Sequence, residues 1–319
     1  MPCATGSAGS GDTGPAILTS PPPSESRRAG AALLVTVVLA WGLTWPINKL
    51  VLETVPPLWA VVLRTAIGAV AMLVLAGAAR RLTLPPRGDW PVLLSITLLH
   101  MIGFTTLSMI GLELVPAGRS AVLAYTTPLW VVPGASLFLG ERLTARRALG
   151  VAIGLGGLAV LFSPLDFDWT QRSIVLGNVA ILAAALLWAA NILHIRGHAW
   201  RSTPFDLLPW EMALATLLLI PLAWLRSGPP AFEWTPRLTI LFLYAGLPGS
   251  ALAYWAIAMA GRRLSAVTTS LGLLVTPLVS IAVAAVWLGE RPSVSLLAAA
   301  VLIIGGVAIG NTGEPRGAG

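Results

Sequence analysis

The sequence predicts an all-α integral membrane protein with ten transmembrane helices, and three observations support this fold class. The chain has 319 residues, of which 56% are hydrophobic and only 10% are charged. Soluble domains carry about 25% charged residues. The apolar residues lie in long runs, and the short stretches between the runs hold most of the arginines. This composition argues against a soluble fold and excludes disorder over most of the chain.

Ten apolar runs have about the length of a spanning helix, which needs roughly 20 residues to cross about 30 Å of hydrocarbon. Each run is continuous and does not alternate between polar and apolar residues, so it predicts a helix and not a barrel strand. The predicted bounds are 31–51, 57–78, 91–111, 117–139, 144–162, 174–195, 205–225, 238–260, 265–288 and 294–311.

The two ends of the chain differ from the apolar runs. Residues 1–29 are rich in Gly, Ser and Pro, and they predict a disordered tail. No cleavable signal peptide is expected, because the first apolar run is long enough to span. Residues 312–319 predict a second short tail. Thirteen of the twenty basic residues fall on the side of the termini and six on the other side, so both tails are expected in the cytoplasm.

The chain repeats itself at an offset of 149 residues. A weaker match pairs the tryptophan elements at 40–42 and 187–189. Residues 30–163 and 164–311 are therefore expected to be two repeats of five helices. Because five is odd, the second repeat must cross the membrane in the opposite direction, which is an arrangement typical of transporters. The segments that match are 127–129 with 276–278 (Thr-Pro-Leu), 139–142 with 288–291 (Leu-Gly-Glu-Arg) and 156–157 with 305–306 (Gly-Gly).

In four features the sequence resembles the EamA-type permeases of the drug/metabolite transporter superfamily. They are the ten spans, the Trp-Gly pair at 41–42, Arg64 early in span two, and Thr-Pro followed by Gly-Glu-Arg in spans four and nine. The chain looks most like the bacterial exporters of aromatic and thiol amino acids. The resemblance covers residues 30–311 and implies two halves around a central cavity in the bacterial inner membrane.

The function that this resemblance implies is export of amino acids or related small metabolites by alternating access. The proton-coupled drug/metabolite and nucleotide-sugar transporters are the alternative, and a membrane enzyme is a remote one. None of the predicted spans has an Asp or Glu at its centre, where proton-coupled antiporters commonly carry a carboxylate. We therefore expect facilitative transport, unless His100 carries the proton. A phosphorylated substrate would need several central basic residues.

Residues near the middle of the spans are the candidates for lining a substrate cavity. Trp41 and Trp188 are related by the repeat and lie far from the span ends, where interfacial tryptophans belong. His100 is the only histidine near the centre of a span, where an ionisable group is costly. Packing between helices is the alternative for each residue. The full set is Trp41, Thr44, His100, Met101, Tyr125, Thr126, Trp188, Asn191, Tyr254 and Thr276.

Four prolines are candidates for helix breaking or gating: Pro46, Pro128, Pro248 and Pro277. A proline within a helix removes a hydrogen bond and frees the carbonyl four residues before it. The freed carbonyls near Pro128 and Pro277 are then available to a substrate. Alternatively, these two prolines only shape the helices, and the threonine before each one satisfies the backbone.

Five charged residues are expected to be structural: Arg64, Glu141, Arg142, Glu290 and Arg291. Charge-assisted hydrogen bonds from the two Gly-Glu-Arg turns would hold helix ends together. Glu211 is the repeat counterpart of Arg64 at an offset of 147 and is expected at the inner surface.

Other partners and cofactors are not expected. One cysteine and three histidines leave too few ligands for a metal site, and no group suggests a cofactor. Nucleic acid is not an expected partner despite the net charge of +7, because the basic residues are scattered between apolar runs. The expected partners are a small-molecule substrate and the lipid bilayer. A monomer is compatible with the sequence, and the Gly306/Gly310 motif predicts either contact within the monomer or dimerisation.

Overall fold

A computed structural model of the protein describes residues 24–163, 167–264 and 266–311. Helices connected by short loops make up this part of the chain, and it contains no strand. The helices are α1 (Ser24–Val51), α2 (Pro57–Ala78), α3 (Arg87–Leu114), α4 (Ala117–Phe138), α5 (Ala145–Leu161), α6 (Arg172–Gly197), α7 (Pro204–Ser227), α8 (Pro236–Gly261), α9 (Ala266–Leu273 and Thr276–Trp287) and α10 (Val294–Asn311).

In the part of the chain that the structure describes, nine helices are long and apolar enough to cross a membrane. The exception is α5, whose 17 residues extend for about 26 Å at 1.5 Å per residue. That length is at the short limit for a spanning helix. The protein is therefore a multi-pass membrane protein, and the tenth span stays a prediction.

The predicted tails fall mostly outside the described residues. Residues 1–23 and 312–319 are not described. The helix α1 begins at Ser24, so residues 24–29 are helical and do not belong to the tail predicted for 1–29. The arginines at 27 and 28 lie in the first turns of this helix and are exposed.

Local sequence explains where several helices begin. Pro57 and Pro236 occupy the first turns of α2 and α8, where the missing N–H costs nothing. The Thr144 hydroxyl accepts a hydrogen bond from the Arg147 backbone N–H at the start of α5, at 3.3 Å. The Thr235 hydroxyl does the same for the Leu238 N–H at the start of α8, at 3.1 Å. These side chains satisfy donors that the first helical turn leaves unpaired.

The third helix of each half contains a π-helical stretch, at Ile96–Phe104 in α3 and at Leu247–Leu252 in α8. These two stretches lie at nearly the same offset as the sequence repeat. Short π segments inside helices occur frequently at functional sites. The stretch in α3 contains His100, and the stretch in α8 ends just before Tyr254. Both residues are thus placed by an irregular turn of helix.

The fourth helix of each half is broken at equivalent points. The break in α4 falls at Tyr125–Thr126, and the break in α9 falls at 274–275. After each helix, a glycine adopts a left-handed backbone conformation, Gly140 at φ 68° and Gly289 at φ 66°. That conformation favours glycine and ends the helix. The repeat seen in the sequence therefore produces the same local backbone twice.

The helices pack in a pattern that is unchanged when the two sets of five are exchanged. The helix α1 packs against α8 and α9, and α6 packs against α3 and α4. The helix α2 packs along α7, and α5 packs along α10. This arrangement brings residues from both halves around the centre of the molecule.

Glycines allow α5 and α10 to approach closely. A Cβ at Gly306 would lie 2.4 Å from the Gly150 carbonyl oxygen and 2.8 Å from the Gly154 nitrogen. A Cβ at Gly150 would in turn meet the Gly306 oxygen at 2.4 Å. Small residues of this kind let helix backbones touch in membranes. The glycine motif at 306 and 310 thus serves a contact within the monomer.

Candidate functional site

A layer of aromatic side chains from five helices lies at the centre of the molecule. The His100 ring stacks on Trp188, with centroids 5.7 Å apart and an angle of 7° between the planes. Tyr254 meets His100 edge-on at 5.6 Å, and Trp41 meets Tyr254 edge-on at 5.9 Å. Tyr125 meets the other side of this layer, 6.4 Å from Trp188. We call these five residues the aromatic layer.

Two cavities adjoin the aromatic layer. The larger one has a volume of about 710 Å³, and the smaller one has a volume of about 70 Å³. Both are lined by Trp41, His100, Trp188 and Tyr254, so these four side chains lie between them. The larger volume is within the range of about 300–1,000 Å³ that small-molecule sites occupy.

The two cavities approach opposite ends of the helices. The larger cavity is also lined by Arg81, Thr203 and Arg262, which lie in or next to the loops that follow α2, α6 and α8. The smaller cavity is lined by Asn48 near the end of α1 and by Leu112 near the end of α3. Each cavity therefore lies toward a different end of the helix bundle.

The wall of the smaller cavity carries a basic side chain. The Arg64 Nε donates a hydrogen bond to the Ser250 hydroxyl at 3.1 Å. The Arg64 guanidinium also lies beside the Tyr254 hydroxyl. That hydroxyl is 3.3 Å from His100 Nε2. Arg64 was expected to be structural, and its position in the cavity wall next to the aromatic layer makes it a candidate for substrate contact as well.

The wall of the larger cavity carries a carboxylate. Glu211 is only 4% exposed, although it was expected at the inner surface. It lies two turns inside α7 and shares the cavity wall with His100 and Tyr254. The position in the sequence showed its depth along the helix but not that this face of α7 points toward the cavity.

Eight of the ten residues predicted to line a cavity do so: Trp41, Thr44, His100, Met101, Tyr125, Trp188, Asn191 and Tyr254. Asn191 accepts a hydrogen bond from the Ser95 hydroxyl at 3.2 Å. Thr126 and Thr276 are fully buried and belong to neither lining. The Thr126 hydroxyl instead donates to the Leu123 carbonyl at 2.6 Å, and at this break in α4 the same carbonyl also accepts the Thr126 backbone N–H at 3.1 Å.

The prolines act differently from one another. Pro128 and Pro277 stand in the first turn after each helix break. The Thr127 hydroxyl donates to the Ala124 carbonyl at 2.8 Å, as expected if threonine satisfies the freed backbone, but the Thr276 hydroxyl makes no such bond before Pro277. Pro248 lies in the π stretch of α8. Pro46 lies within α1 and does not interrupt it, because the helix continues to Val51.

The two Gly-Glu-Arg turns hold different partners. The Glu290 carboxylate accepts hydrogen bonds from the Ala117 and Gly118 backbone N–H groups, at 2.6 and 3.0 Å, at the start of α4. Negative charge is stabilised at a helix N-terminus. The Glu141 carboxylate instead pairs with Arg147, at 3.1 Å, and with Arg196.

The arginines of these turns do not share the role of the carboxylates. Arg142 and Arg291 are exposed, and neither forms an ion pair within the described ranges. The prediction that both members of each Glu-Arg pair hold helix ends is therefore supported only for the glutamates.

Several cavity residues were missed from the sequence, although a signal existed for some of them. Asn48 lines the smaller cavity and is 5% exposed. It follows Trp41 and Thr44 at seven and four residues, so all three lie on one face of α1. Thr105 and Ser108 extend the lining along α3 in the same way. Among the residues that the structure describes, no group of three His, Cys, Asp or Glu side chains is placed to hold a metal ion.

Long apolar helices around an aromatic-lined cavity define a polytopic membrane protein. Comparison with known proteins identifies its family. The model of the EamA-like transporter family matches residues 28–163 and again residues 175–312. The chain belongs to the EamA-like transporter family and contains its domain twice. It is therefore a transporter and not an enzyme.

Curated relatives match nearly the whole chain. The uncharacterized transporter YvbV of Bacillus subtilis is 27% identical over 283 residues, which are 88% of this chain and 91% of the relative. A probable terminal-alkyne amino-acid exporter of Streptantibioticus cattleyicolor is 29% identical and covers 87% and 92% of the two chains. A probable amino-acid metabolite efflux pump of Escherichia coli is 28% identical and covers 89% and 95%.

One solved structure, described only as "Crystal structure of protein", has the same fold. It superposes with a TM-score of 0.64 at 22% identity and covers 90% of this chain and 98% of the other. At this identity the likeness shows the fold alone.

Proposed function

We propose that the protein exports amino acids or closely related small metabolites across the bacterial inner membrane by alternating access. The observation that carries the proposal is the aromatic layer between two unequal cavities, contributed by helices of both repeats. Two relatives of nearly full length bear the names of an amino-acid exporter and an amino-acid metabolite efflux pump, which supports this substrate class.

The chemistry of the cavity walls suits an amino acid. Aromatic and aliphatic side chains form most of the lining, which favours a moderately apolar body. Arg64 lines the smaller cavity, Glu211 lines the larger cavity, and Tyr254 lines both. A cation and a carboxylate on the two sides of one hydroxyl complement the carboxylate and ammonium groups of an amino acid.

The mechanism follows from an inverted relation between the two repeats. Exchange of the conformations of two equivalent halves opens one site to each side of the membrane in turn. The packing pattern, which is unchanged when the halves are exchanged, supports such a relation. With both termini in the cytoplasm, the larger cavity faces the cytoplasm and the smaller cavity faces the outside.

Counterflow in proteoliposomes tests the substrate class. The purified protein is reconstituted in liposomes loaded with an unlabelled compound, and uptake of the labelled compound is followed. The panel contains aromatic, thiol and aliphatic amino acids together with a nucleotide-sugar and a purine. We expect amino-acid exchange above that of empty liposomes. Exchange of only the nucleotide-sugar or the purine would overturn the proposed substrate.

Crosslinking tests alternating access. Arg81 and Arg262 both line the larger cavity, from the ends of different helices. The pair Arg81→Cys and Arg262→Cys is made in a Cys3→Ser background, which removes the only native cysteine. A bifunctional thiol reagent should then abolish counterflow, whereas it should leave each single-cysteine variant active. Undiminished transport by the crosslinked protein would contradict the mechanism.

A further inference from the structure

The carboxylate of Glu211 stands in an unusual environment. The side chain is 4% exposed and lies in the wall of the larger cavity. Within the described residues it forms no hydrogen bond and no ion pair, in contrast to the buried Asp89, which accepts backbone hydrogen bonds from Arg201 and Ser202 at 3.1 and 2.7 Å. None of the side chains or backbone groups that the structure describes is therefore a partner of the Glu211 carboxylate.

An unpartnered charge in such a place is costly. Burial of an ionised carboxylate without a compensating partner carries a large free-energy penalty, and the group either takes up a proton or finds a cation. Ionisable residues within membrane helices usually mark substrate or proton pathways for this reason. Among the residues that the structure describes, nothing neutralises Glu211, so we expect a proton or a cation to reach it from the larger cavity, which it lines.

The charged and titratable groups around Glu211 come from every helix packed on α7. From α3 and α8, His100 and Tyr254 line the same cavity as Glu211, whereas Arg64 of α2 lines the smaller cavity on the other side of the aromatic layer. On α7 itself, Asp206 is bonded to Thr203 and to Arg81, which lines the same cavity together with Arg262. None of these cations is paired with Glu211, which leaves its carboxylate open to a ligand.

We propose that Glu211 binds, in alternation, a proton and the ammonium group of the substrate. This inference rests on the proposed amino-acid substrate and specifies how its transport is driven. The Glu211 O–H bond breaks when the substrate binds, the proton passes to water in the cavity, and the carboxylate then pairs with the substrate ammonium. After the substrate leaves on the outer side, the carboxylate accepts a proton there, and the protonated carrier returns.

The exchange has a fixed stoichiometry. One proton moves inward for each zwitterionic amino acid that moves outward, so each cycle carries one positive charge inward. Proton and ammonium compete for one group, so each must weaken the binding of the other by the same factor. Facilitative transport, expected from the sequence because no central carboxylate was recognised, would show neither property.

Substrate titrations of the purified protein test this competition directly. The probe is the labelled amino acid that gives the strongest counterflow, and its binding is measured between about pH 5 and pH 9, which covers the range observed for buried carboxyl groups. For the wild type, we expect the Kd to rise by about tenfold for each pH unit below the carboxyl pKa, with about one proton released per substrate bound in that pH range and none well above it.

Two variants and one control complete the experiment. Glu211→Gln should bind more weakly, with a Kd that does not depend on pH and with no proton release. Glu211→Asp keeps a titratable group and should restore both the pH dependence and the proton release. Glu53→Gln is the matched control, because Glu53 is an exposed carboxylate in the α1–α2 loop, and it should behave as the wild type. Gel filtration verifies that each variant is folded.

The possible failures are distinguishable. If the wild type shows amino-acid counterflow but a Kd without pH dependence and no proton release, the role of Glu211 is refuted and the proposed function stands. Proton release that persists in Glu211→Gln, with the same pH dependence, also refutes it. Absence of counterflow for every amino acid overturns the proposed function and this inference together.

Discussion

The contact between α5 and α10 allows a prediction with a matched internal control. A Cβ added at Gly306 would lie 2.4 Å from the Gly150 carbonyl oxygen, whereas ordinary contacts begin at 3.4 Å. The two backbones must therefore separate by about 1 Å to accept an alanine. At the neighbouring Gly305, an added Cβ meets nothing within 4 Å.

The expected cost follows from this geometry. Extra methyl groups in a well-packed interior cost about 1–3 kcal/mol, and backbone atoms on both sides leave no side chain to move aside. Gly306→Ala should therefore be less stable than Gly305→Ala by about 1–3 kcal/mol. The change in helix propensity from glycine to alanine is the same for both variants and cancels in this difference.

The assay compares the two variants in one detergent. Reversible unfolding of each purified variant, followed by the loss of helical circular dichroism against denaturant, yields the free energy of unfolding. Oligomeric state is measured in parallel, because a dimer held by this motif would dissociate in Gly306→Ala. Equal stability of the two variants would refute the close contact of α5 with α10. If the wild type is a dimer and Gly306→Ala is a monomer, the motif holds the dimer and not a contact within the monomer.

Three further predictions concern the polar side chains of Glu290, Asp89 and His100. Glu290→Gln should lower the free energy of unfolding by about 1–2 kcal/mol, because the start of α4 loses its charged acceptor. The control Glu53→Gln, at an exposed residue, should change it by less than about 0.5 kcal/mol. Equal values for the two variants in denaturant unfolding would show that Glu290 does not cap α4. Asp89→Asn should cost about 2 kcal/mol in the same assay, because an amide oxygen replaces a carboxylate that accepts two backbone hydrogen bonds; an unchanged value would contradict it. His100→Ala should insert into membranes normally but reduce the counterflow rate, and a wild-type rate would remove His100 from the site.

Much of the fold could be predicted because the repeat and the apolar runs are visible in the residues themselves. The matching Leu-Gly-Glu-Arg segments become matching helix ends, with Gly140 and Gly289 in the same left-handed conformation. The π stretch that contains His100 could not be predicted, because residues 96–104 contain no proline and no pair of glycines. An irregular turn there depends on packing against other helices, and local sequence does not encode that packing.

The candidate site was predictable where helical spacing shows which residues share a face. Trp41 and Thr44 lie on one face of α1, and Asn48 continues that face although it was not recognised. Thr126 was misplaced because a hydroxyl next to a helix break has a backbone carbonyl within reach, and this local bond replaces a contact with the cavity. Glu211 is buried because α2, α3 and α8 pack on α7, and the sequence alone does not show which helices pack together.

The central claim is that the substrate passes through the aromatic layer. Counterflow of the best amino-acid substrate by Trp188→Ala and Trp287→Ala tests it most directly. Trp188 stacks on His100, whereas Trp287 lies on the surface of the helix bundle and is 57% exposed. Loss of an aromatic contact worth about 1–1.5 kcal/mol should reduce the rate of Trp188→Ala by about tenfold and leave Trp287→Ala at the wild-type rate. Equal rates for the two variants, with equal amounts of inserted protein, would contradict the account.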